Sequence, residues 1–255
     1  MAIQEYLDTH HVFSAADFSE AFPDSRTDQN LLTRATASGR VDHPRRGLYV
    51  SKTGPYSRIH ANPLDVASKA CEDAVFCFLT ALQLHGVLHN ITQRTQFYTA
   101  HRIAPFAYAG QEFTSVRRPD RPIASQGLLS PTGHRYQVTT TEQTLVDCLD
   151  KPNLAGGPEN LLRSVGGFRY LNVDDLVRIA KNYSASLRAR LGWVLETQAD
   201  DWDIGDDVLS RVAESLGSGP YYFYSSKTPR DSHWSNRWKL YLPFPEQEMM
   251  SWLDE

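Results

Sequence analysis

Hydrophobic positions near the start of the chain recur at helical spacing in short segments separated by turn residues. The stretch IQEYLDT has apolar residues three and four apart and predicts a first helix over residues 2–9. Ser14 and Asp17 have the spacing of a capping box, in which each side chain accepts a hydrogen bond from the other residue's backbone amide. Phe13 and Phe18 occupy the positions of a hydrophobic staple around this cap. A second helix is therefore expected to begin just after Ser14.

The segment TDQNLLTRATAS predicts a third helix, with Gly39 as its C-terminal stop. At 100° per residue its apolar side holds Leu31, Leu32 and Ala35. The opposite side is short, hydrogen-bonding and basic, and it holds Asn30, Thr33, Arg34 and Ala37, with Arg26 above them at the N-terminal end. Arginine and asparagine can make paired hydrogen bonds to guanine and adenine edges in the major groove of DNA. The exposed side of this helix therefore has the chemistry of a DNA-reading surface.

The segment RVDHPRRGLYVS predicts a basic hairpin directly after the third helix. Val41 starts one short strand and Leu48 another, with the loop DHPRRG between them. Arg45 and Arg46 are adjacent at the hairpin tip with no acidic residue immediately beside them, so a DNA phosphate backbone would supply the missing negative charge. The order of elements predicts a winged helix-turn-helix domain over residues 1–55. The alternative is a small helical domain whose basic hairpin binds a protein or nothing.

The distribution of charge is more informative than the net charge of −4. Residues 1–25 carry five acidic residues and no Lys or Arg, whereas residues 26–58 carry seven Lys and Arg residues against Asp28 and Asp42. A local basic excess can act on a polyanion even in an acidic chain, because salt screens charges that lie beyond roughly 10 Å. The simpler interpretation of such a charge run is a solvated surface.

The remaining sequence predicts a larger mixed α/β domain over residues 63–255, after an interdomain linker over 51–62 that is rich in Gly, Pro, Ser and Asn. Predicted strands cover 91–99, 112–117, 134–139, 221–224 and 237–242. Predicted helices cover 76–85, 142–150, 157–165, 173–182, 185–198 and 206–216. Thr139 and Glu142 have the spacing of a second capping box. The overall expectation is an α+β chain of 255 residues with two domains.

Composition places the chain among ordinary globular proteins, with 41% hydrophobic and 22% charged residues. The longest apolar run, AVFCFL, is far shorter than the ~20 residues of a membrane helix, and no signal peptide is expected at the N-terminus. Cys71, Cys77 and Cys148 are odd in number and lie in apolar contexts. Reduced thiols in a cytoplasmic protein are therefore expected, with no membrane contact.

Several short patterns invite an enzymatic interpretation, and each has a structural alternative that we prefer. Lys52-Thr53-Gly54 matches one element of the penicillin-recognising enzymes, but their Ser-x-x-Lys element is missing. His85 and His89 have metal-ligand spacing, but Gly86 stands where a zinc protease has its glutamate and is expected to end the helix. Neither pattern predicts a catalytic or metal site.

Two longer stretches carry clustered charge or aromatic residues. Five aspartates fall within 199–207, where a divalent-cation site, an acidic contact for a basic partner and a solvated loop leading into a helix are the alternatives. The aromatic and basic stretch 220–243 is typical of strands with core aromatic residues, and the alternative is stacking on single-stranded bases. We expect the solvated loop and the core strands, and no catalytic residues or cofactors.

The element order ending in GRVDHPRRGLYVS resembles the N-terminal domain of the AbiEi-type antitoxin family of bacterial type IV toxin–antitoxin systems. Two later stretches, DAVFCFLTALQLHGV and TTTEQTLVDCLDKPNLAGG, resemble the C-terminal part of the same family. The resemblance implies a repressor of its own operon, bound to double-stranded operator DNA that carries inverted repeats. It also implies antagonism of a nucleotidyltransferase-like toxin encoded beside it.

Under this resemblance the DNA contacts come from the third helix and the hairpin tip. The residues implied are Arg26, Thr27, Asn30, Thr33, Arg34, Arg45 and Arg46. Asp28 and Asp42 lie close to this surface and depart from a strongly basic reader, so two copies or cooperative binding are expected. The alternatives are a stand-alone regulator whose C-terminal domain senses a ligand or partner, and a nucleic-acid-processing enzyme with a metal site at 199–207.

Overall fold

The structure is a computed structural model that describes residues 3–23, 25–130, 133–224 and 233–254, with residues 25–29 described without their side chains. Around Ser14 it contains the predicted capping box. The Ser14 amide donates to Asp17 Oδ2 at 2.7 Å, and the Asp17 amide donates to Ser14 Oγ at 3.0 Å. The rings of Phe13 and Phe18 lie with centroids 6.0 Å apart, as expected for the staple. Local chemistry thus sets the start of the second helix.

Six elements make up the first fifty residues. They are α1 (Ile3–Thr9), β1 (Val12–Ser14), α2 (Ala15–Ala21), α3 (Ser25–Ala37), β2 (Val41–Arg45) and β3 (Leu48–Ser51). The three strands form an antiparallel sheet in the order β1-β3-β2. The sequence pattern did not predict β1, because three residues are too few to establish a strand periodicity.

Helix α3 begins two residues before its predicted start and ends where the sequence places its stop. It covers Ser25–Ala37, whereas the predicted segment TDQNLLTRATAS begins at Thr27. After Ala37 the chain turns at Gly39, whose φ of +70° lies in the left-handed region that glycine adopts without strain.

The loop predicted between the two hairpin strands is shorter than expected. Arg45 pairs with Leu48, so strand β2 continues through most of DHPRRG, and only Arg46 and Gly47 form the turn. Gly47, the second residue of the turn, has a φ of +80°, a left-handed conformation that glycine adopts without strain.

Strand β2 contains a proline, Pro44, and its position at the edge of the sheet tolerates it. Pro44 cannot donate a ladder hydrogen bond, but β2 is an edge strand of its sheet. The register also shifts between Asp42 and Arg45, which is where Pro44 lies. The predicted loop, which covered all of DHPRRG, therefore began too early.

Part of the segment predicted to be an interdomain linker packs against α1. A 3-10 helix covers Gly54–Tyr56. Thr53 Oγ1 donates to Asp8 Oδ1 at 2.7 Å, and Tyr56 Oη donates to the carbonyl of Thr9 at 3.2 Å. These polar side chains anchor residues 53–56 to α1, and the interdomain-linker interpretation of residues 51–62 stays a prediction. Whether residues 1–55 fold as a separate domain stays a prediction.

Mixed helices and strands follow. The helices are α4 (Pro63–Ala70), α5 (Phe78–Leu84), α6 (Thr141–Asp150), α7 (Pro158–Gly166), α8 (Val173–Ala180), α9 (Ala185–Thr197), α10 (Asp206–Glu214) and α11 (Glu246–Ser251). The strands are β4 (Val75–Phe76), β5 (Arg94–Thr99), β6 (Phe106–Tyr108), β7 (Gln111–Arg117), β8 (Ser125–Leu129), β9 (Arg135–Thr139), β10 (Tyr221–Tyr222), β11 (His233–Ser235) and β12 (Leu240–Leu242). The fold is thus mixed α+β, with eleven α-helices and three sheets among the described residues.

Within this later part, all six predicted helices are present, whereas the sequence pattern did not predict α4, α11 and several short strands. The second predicted cap is displaced by one residue. Thr140, not Thr139, accepts the amide of Gln143 and caps α6. Thr139 ends β9 instead, and its hydroxyl lies 2.7 Å from Thr144 Oγ1. Adjacent threonines cannot be distinguished by spacing alone, because either can serve as an N-cap.

Two further sheets complete the topology. One has six strands in the order β6-β7-β5-β4-β9-β8, and the other has three in the order β10-β12-β11. In the six-stranded sheet, β5 and β7 are parallel and β6 and β7 form an antiparallel hairpin. Strand β6 is therefore an edge strand.

Contacts divide the chain into two compact units. The first comprises Met1–Val75, Gln93–Arg118 and Gly127–Tyr136, and the second comprises Phe76–Thr92, Pro119–Gln126 and Gln137–Glu255. The first unit has 13 Lys and Arg against 11 Asp and Glu, a net of +2; the second has 13 against 19, a net of −6. The acidity of the chain thus resides in the second unit.

The second unit has a polar network inside its core. Asp147 is 1% exposed, and its Oδ1 accepts hydrogen bonds from Gln143 Nε2 at 2.9 Å and from Tyr183 Oη at 2.5 Å. Next to it, burial raises the pKa of the Cys148 thiol well above its usual value. All three cysteines are buried and free, as the sequence predicted.

Replacing Ser14 by Ala should lower the free energy of unfolding by about 1 kcal/mol, because the Asp17 amide loses its cap. Urea denaturation measures this change. The matched control is Ser19→Ala within α2, where an exposed serine becomes a better helix former. Equal losses in both variants would mean that the Ser14 hydroxyl does not hold the helix start.

Asp73 is a carboxylate fixed by several donors in the first unit. It accepts hydrogen bonds from Thr99 Oγ1 at 2.6 Å, the Ala100 amide at 2.8 Å and Cys71 Sγ at 2.8 Å. Burial alone would raise the pKa of the Asp73 carboxyl. The hydrogen bonds from these donors outweigh burial and lower the pKa to about 2.

A carboxyl whose pKa is lower in the folded than in the unfolded chain stabilises the fold at any pH above its unfolded-state pKa, about 3.9 for aspartate. This stabilisation is lost as the pH falls through the pKa of the folded state. The wild-type chain should therefore lose more unfolding free energy between pH 5 and pH 2 than Asp73→Asn does. Chemical denaturation at several pH values measures this, with Glu72→Gln as the exposed control. Parallel pH profiles for wild type and Asp73→Asn would contradict the assignment.

Candidate nucleic-acid interface

Helix α3 separates a buried side from an exposed side as its sequence predicts. Leu32 is 7% exposed and Ala35 is fully buried, and both join an aromatic cluster that includes Tyr6 and Phe18. Asn30, Thr33 and Arg34 are exposed. The apolar side thus fixes the rotation of the helix, and the predicted polar face points outward because the opposite side is buried.

The cation in the middle of this face is available for an external anion. Among the described residues no carboxylate pairs with Arg34, which lies in the last turn of α3. Arg26 and Thr27, the two other helix residues implied as DNA contacts, have side chains outside the described residues.

The two hairpin arginines differ in their surroundings. Arg46 occupies the turn and is exposed. Arg45 is half-buried, and its guanidinium carbon lies 5.5 Å from the ring centroid of Phe106 on β6. A guanidinium at this distance is attracted by the negative face of the ring, so Arg45 is held by the protein while Arg46 projects from it.

Asp42, the acidic residue of the hairpin, is engaged by two neighbours. Lys52 Nζ lies 3.5 Å from Asp42 Oδ1, and Tyr108 Oη donates to Asp42 Oδ2 at 3.4 Å. Burial and the nearby Asp42 carboxylate raise the pKa of Tyr108 to about 12. The carboxylate that would repel a phosphate backbone is therefore partly compensated within the chain.

The basic helix and the basic hairpin are built on one core. Val41, Leu48 and Val50 are buried, and α3 is in contact with β2. Val41 belongs to the same cluster as Leu32. The exposed residues of α3 and the hairpin turn are therefore held by a common set of apolar contacts.

A groove of 640 Å³ runs beside the exposed face of α3. Its walls come from α2, α3 and the β2–β3 hairpin, with Phe18, Phe22 and Tyr49 as aromatic lining. Thr33 lines the groove and also belongs to the exposed face, so the groove borders the candidate surface directly.

No pattern in the sequence indicated the two β6 residues at this site. Phe106 and Tyr108 contact a hairpin that lies about sixty positions earlier in the chain. Their strand has only three residues, and its burial pattern shows no fully buried position. A pairing of this kind becomes visible only when the chain is folded.

The histidines with metal-ligand spacing have ordinary structural environments. His85 Nε2 lies 2.8 Å from the carbonyl oxygen of Thr139. Helix α5 ends at Leu84, and Gly86 has a φ of +74°, so the helix stops before His89. Among the described residues no group of His, Cys, Asp and Glu has metal-site spacing.

The acidic stretch and the aromatic tail also have structural partners. Asp206 and Asp207 begin α10, and Asp206 Oδ1 lies 2.7 Å from Arg237 Nη2. Trp238 is fully buried, and its Nε1 donates to Glu196 at 2.6 Å. Lys227 and Arg230 of the same tail lie outside the described residues. The Asp206–Arg237 contact favours the solvated loop over a cation site. Trp238 lies in the core, whereas Tyr224 and Trp234 are exposed, so the core-strand prediction fits only part of the tail.

Every helix among the described residues is too short or too polar to cross a bilayer.

The chain shares its fold with a protein of known structure, but its sequence matches no known family. No curated protein matches it either. The chain is similar to the RV2827C protein from Mycobacterium tuberculosis, whose crystal structure aligns with a TM-score of 0.66 and 15% sequence identity over 98% of this chain and 92% of that one. At this identity the similarity establishes a common α+β fold, and nothing about function follows from it.

Proposed function

We propose that this chain is a DNA-binding transcription regulator that uses α2, α3 and the β2–β3 hairpin as a winged helix-turn-helix. The observation that carries the proposal is the joint placement of an exposed Asn30 and Arg34 on α3 with an exposed Arg46 at the hairpin turn, on one apolar core. Among the described residues these two arginines have no carboxylate partner. In this assignment α3 enters the major groove and the hairpin follows the adjacent phosphate backbone.

Charge placement supports a polyanionic partner. The first unit is net positive at +2 although the whole chain is −4. Counterion release on binding DNA depends on the cations that touch phosphates, and screening confines the acidic second unit's influence to roughly 10 Å. The modest local excess is consistent with two copies acting together on inverted repeats.

The finer role, autorepressor and antitoxin of a type IV toxin–antitoxin operon, rests on the family resemblance of the sequence. In this role residues 63–255 counteract a nucleotidyltransferase-like toxin. Co-expression with the product of the adjacent reading frame tests it. Rescue of growth supports the antitoxin role, and a neighbour without nucleotidyltransferase character would leave a stand-alone regulator.

Replacing Arg46 by Ala should weaken binding to all DNA sequences and flatten the slope of log affinity against log salt by about one unit, because one phosphate contact is lost. Fluorescence anisotropy with the chain's own upstream DNA at several salt concentrations measures this. Arg45→Ala should change the slope less, because Arg45 is held against Phe106.

The matched control for these variants is Arg178→Ala in the second unit. That arginine is exposed and pairs with Asp175, so its removal changes the net charge equally without touching the proposed surface. If the Arg46 and Arg178 variants have the same salt slope as wild type, the hairpin turn does not contact phosphates.

Replacing Asn30 or Arg34 by Ala should reduce the preference for the operator over unrelated DNA by about 1–3 kcal/mol for each lost base contact. Competition assays with specific and unspecific duplexes measure this difference. Thr36→Ala is the control on the same helix, because the Thr36 hydroxyl is already bound to the carbonyl of Leu32. Unchanged discrimination in both face variants would exclude α3 as the reading helix.

A further inference from the structure

The β2–β3 hairpin is supported by a second hairpin, β6–β7. Strands β2 and β6 lie in contact within the first unit. Phe106 stacks on Phe113 of β7 with ring centroids 4.5 Å apart and an angle of 3° between the rings. This ring therefore cannot follow the Arg45 guanidinium freely, and β6 presents a fixed surface to the outer edge of the hairpin.

Tyr108 makes the polar half of this contact. Its hydroxyl donates to Asp42 Oδ2, while Lys52 Nζ lies near the other carboxylate oxygen. Asp42 lies on the strand that leads to Arg45 and Arg46. The side chain of Asp42 is 36% exposed, so it retains enough freedom to turn toward solvent if one partner is removed.

We propose that Tyr108 is a positioning residue for operator binding, which holds the Asp42 carboxylate on the β6 side of the hairpin and away from the DNA phosphates. This inference rests on the proposed DNA-binding function and deepens it. It assigns to the β6–β7 hairpin, far away in the sequence, control over the electrostatics of the DNA-contacting hairpin.

Loss of the Tyr108 hydroxyl should allow the Asp42 carboxylate to repel the DNA phosphates. Tyr108→Phe keeps the ring and its packing but frees one oxygen of Asp42. A carboxylate several ångströms from a phosphate, in a solvent-rich interface, should weaken operator binding on the order of threefold to tenfold. Because the effect is Coulombic between exposed groups, it should shrink as salt is raised toward 0.5 M, where the screening length falls to roughly 4 Å.

A double-mutant cycle separates this role from a general loss of structure. Asp42→Asn should bind the chain's own upstream DNA at least as tightly as wild type does, because the repulsive charge is gone. The Tyr108→Phe, Asp42→Asn double variant should bind like Asp42→Asn alone. If the hydroxyl mattered only for stability, the double variant would instead be as weak as Tyr108→Phe or weaker.

The matched control is Tyr136→Phe, which removes a hydroxyl that donates to Asp65 at 2.6 Å elsewhere in the first unit. It should leave DNA affinity within twofold of wild type. A measurement without DNA accompanies the cycle: amide hydrogen exchange in residues 41–51 should be several-fold faster in Tyr108→Phe and unchanged in Tyr136→Phe.

Three outcomes oppose the inference in distinguishable ways. Wild-type affinity and exchange in Tyr108→Phe would overturn the positioning role and leave DNA binding intact. Additive losses in the double variant would assign Tyr108 a purely structural role. Failure of the wild-type chain to bind duplex DNA, its own upstream DNA included, would overturn the proposed function and this inference together.

Discussion

Burial of the inner side of α3 is the constraint on which the candidate site depends. Leu32 and Ala35 enter the same apolar cluster as Val41, the first residue of the hairpin. Burying a leucine side chain contributes on the order of 1.5–3 kcal/mol, which is more than an exposed ion pair provides. The apolar contacts therefore decide where the exposed cations point, and the polar surface follows from the core. A helix rotated by one residue would lose this packing and present Leu31 or Leu32 to solvent.

Under the proposed function, electrostatics then determine how that surface meets DNA. The Asp42–Lys52 pair is too exposed to stabilise the fold appreciably, since both side chains are more than a third accessible. Its importance lies in the direction of the carboxylate relative to the hairpin turn. Tyr108 adds a directional hydrogen bond, which an ion pair between flexible chains cannot provide. Asp42 reduces the positive charge of the hairpin, but its carboxylate is held in place by Lys52 and Tyr108.

Local signals predicted the local structure, and contacts between distant residues account for the remainder. The capping box at Ser14 and the exposed Asn30 and Arg34 follow from spacing alone, because helix geometry fixes which residues share a face. The two-residue turn at Arg46 was missed because the edge position of its strand, which tolerates Pro44, depends on the whole sheet. Tyr108 could not be found from the sequence, since nothing in a three-residue strand indicates its partner across sixty positions.

The arginines of the two units are used differently, and this contrast bears on function. Among the described residues of the second unit, five arginines pair with carboxylates of the same unit, namely Arg121, Arg163, Arg178, Arg211 and Arg237. In the first unit Arg34 and Arg46 are exposed and pair with no carboxylate among the described residues. A chain with 30 acidic residues has ample carboxylates for such pairs. These two cations stay unpaired among the described residues, beside a helix face rich in hydrogen-bonding groups, which is the arrangement that the proposed DNA-binding function requires.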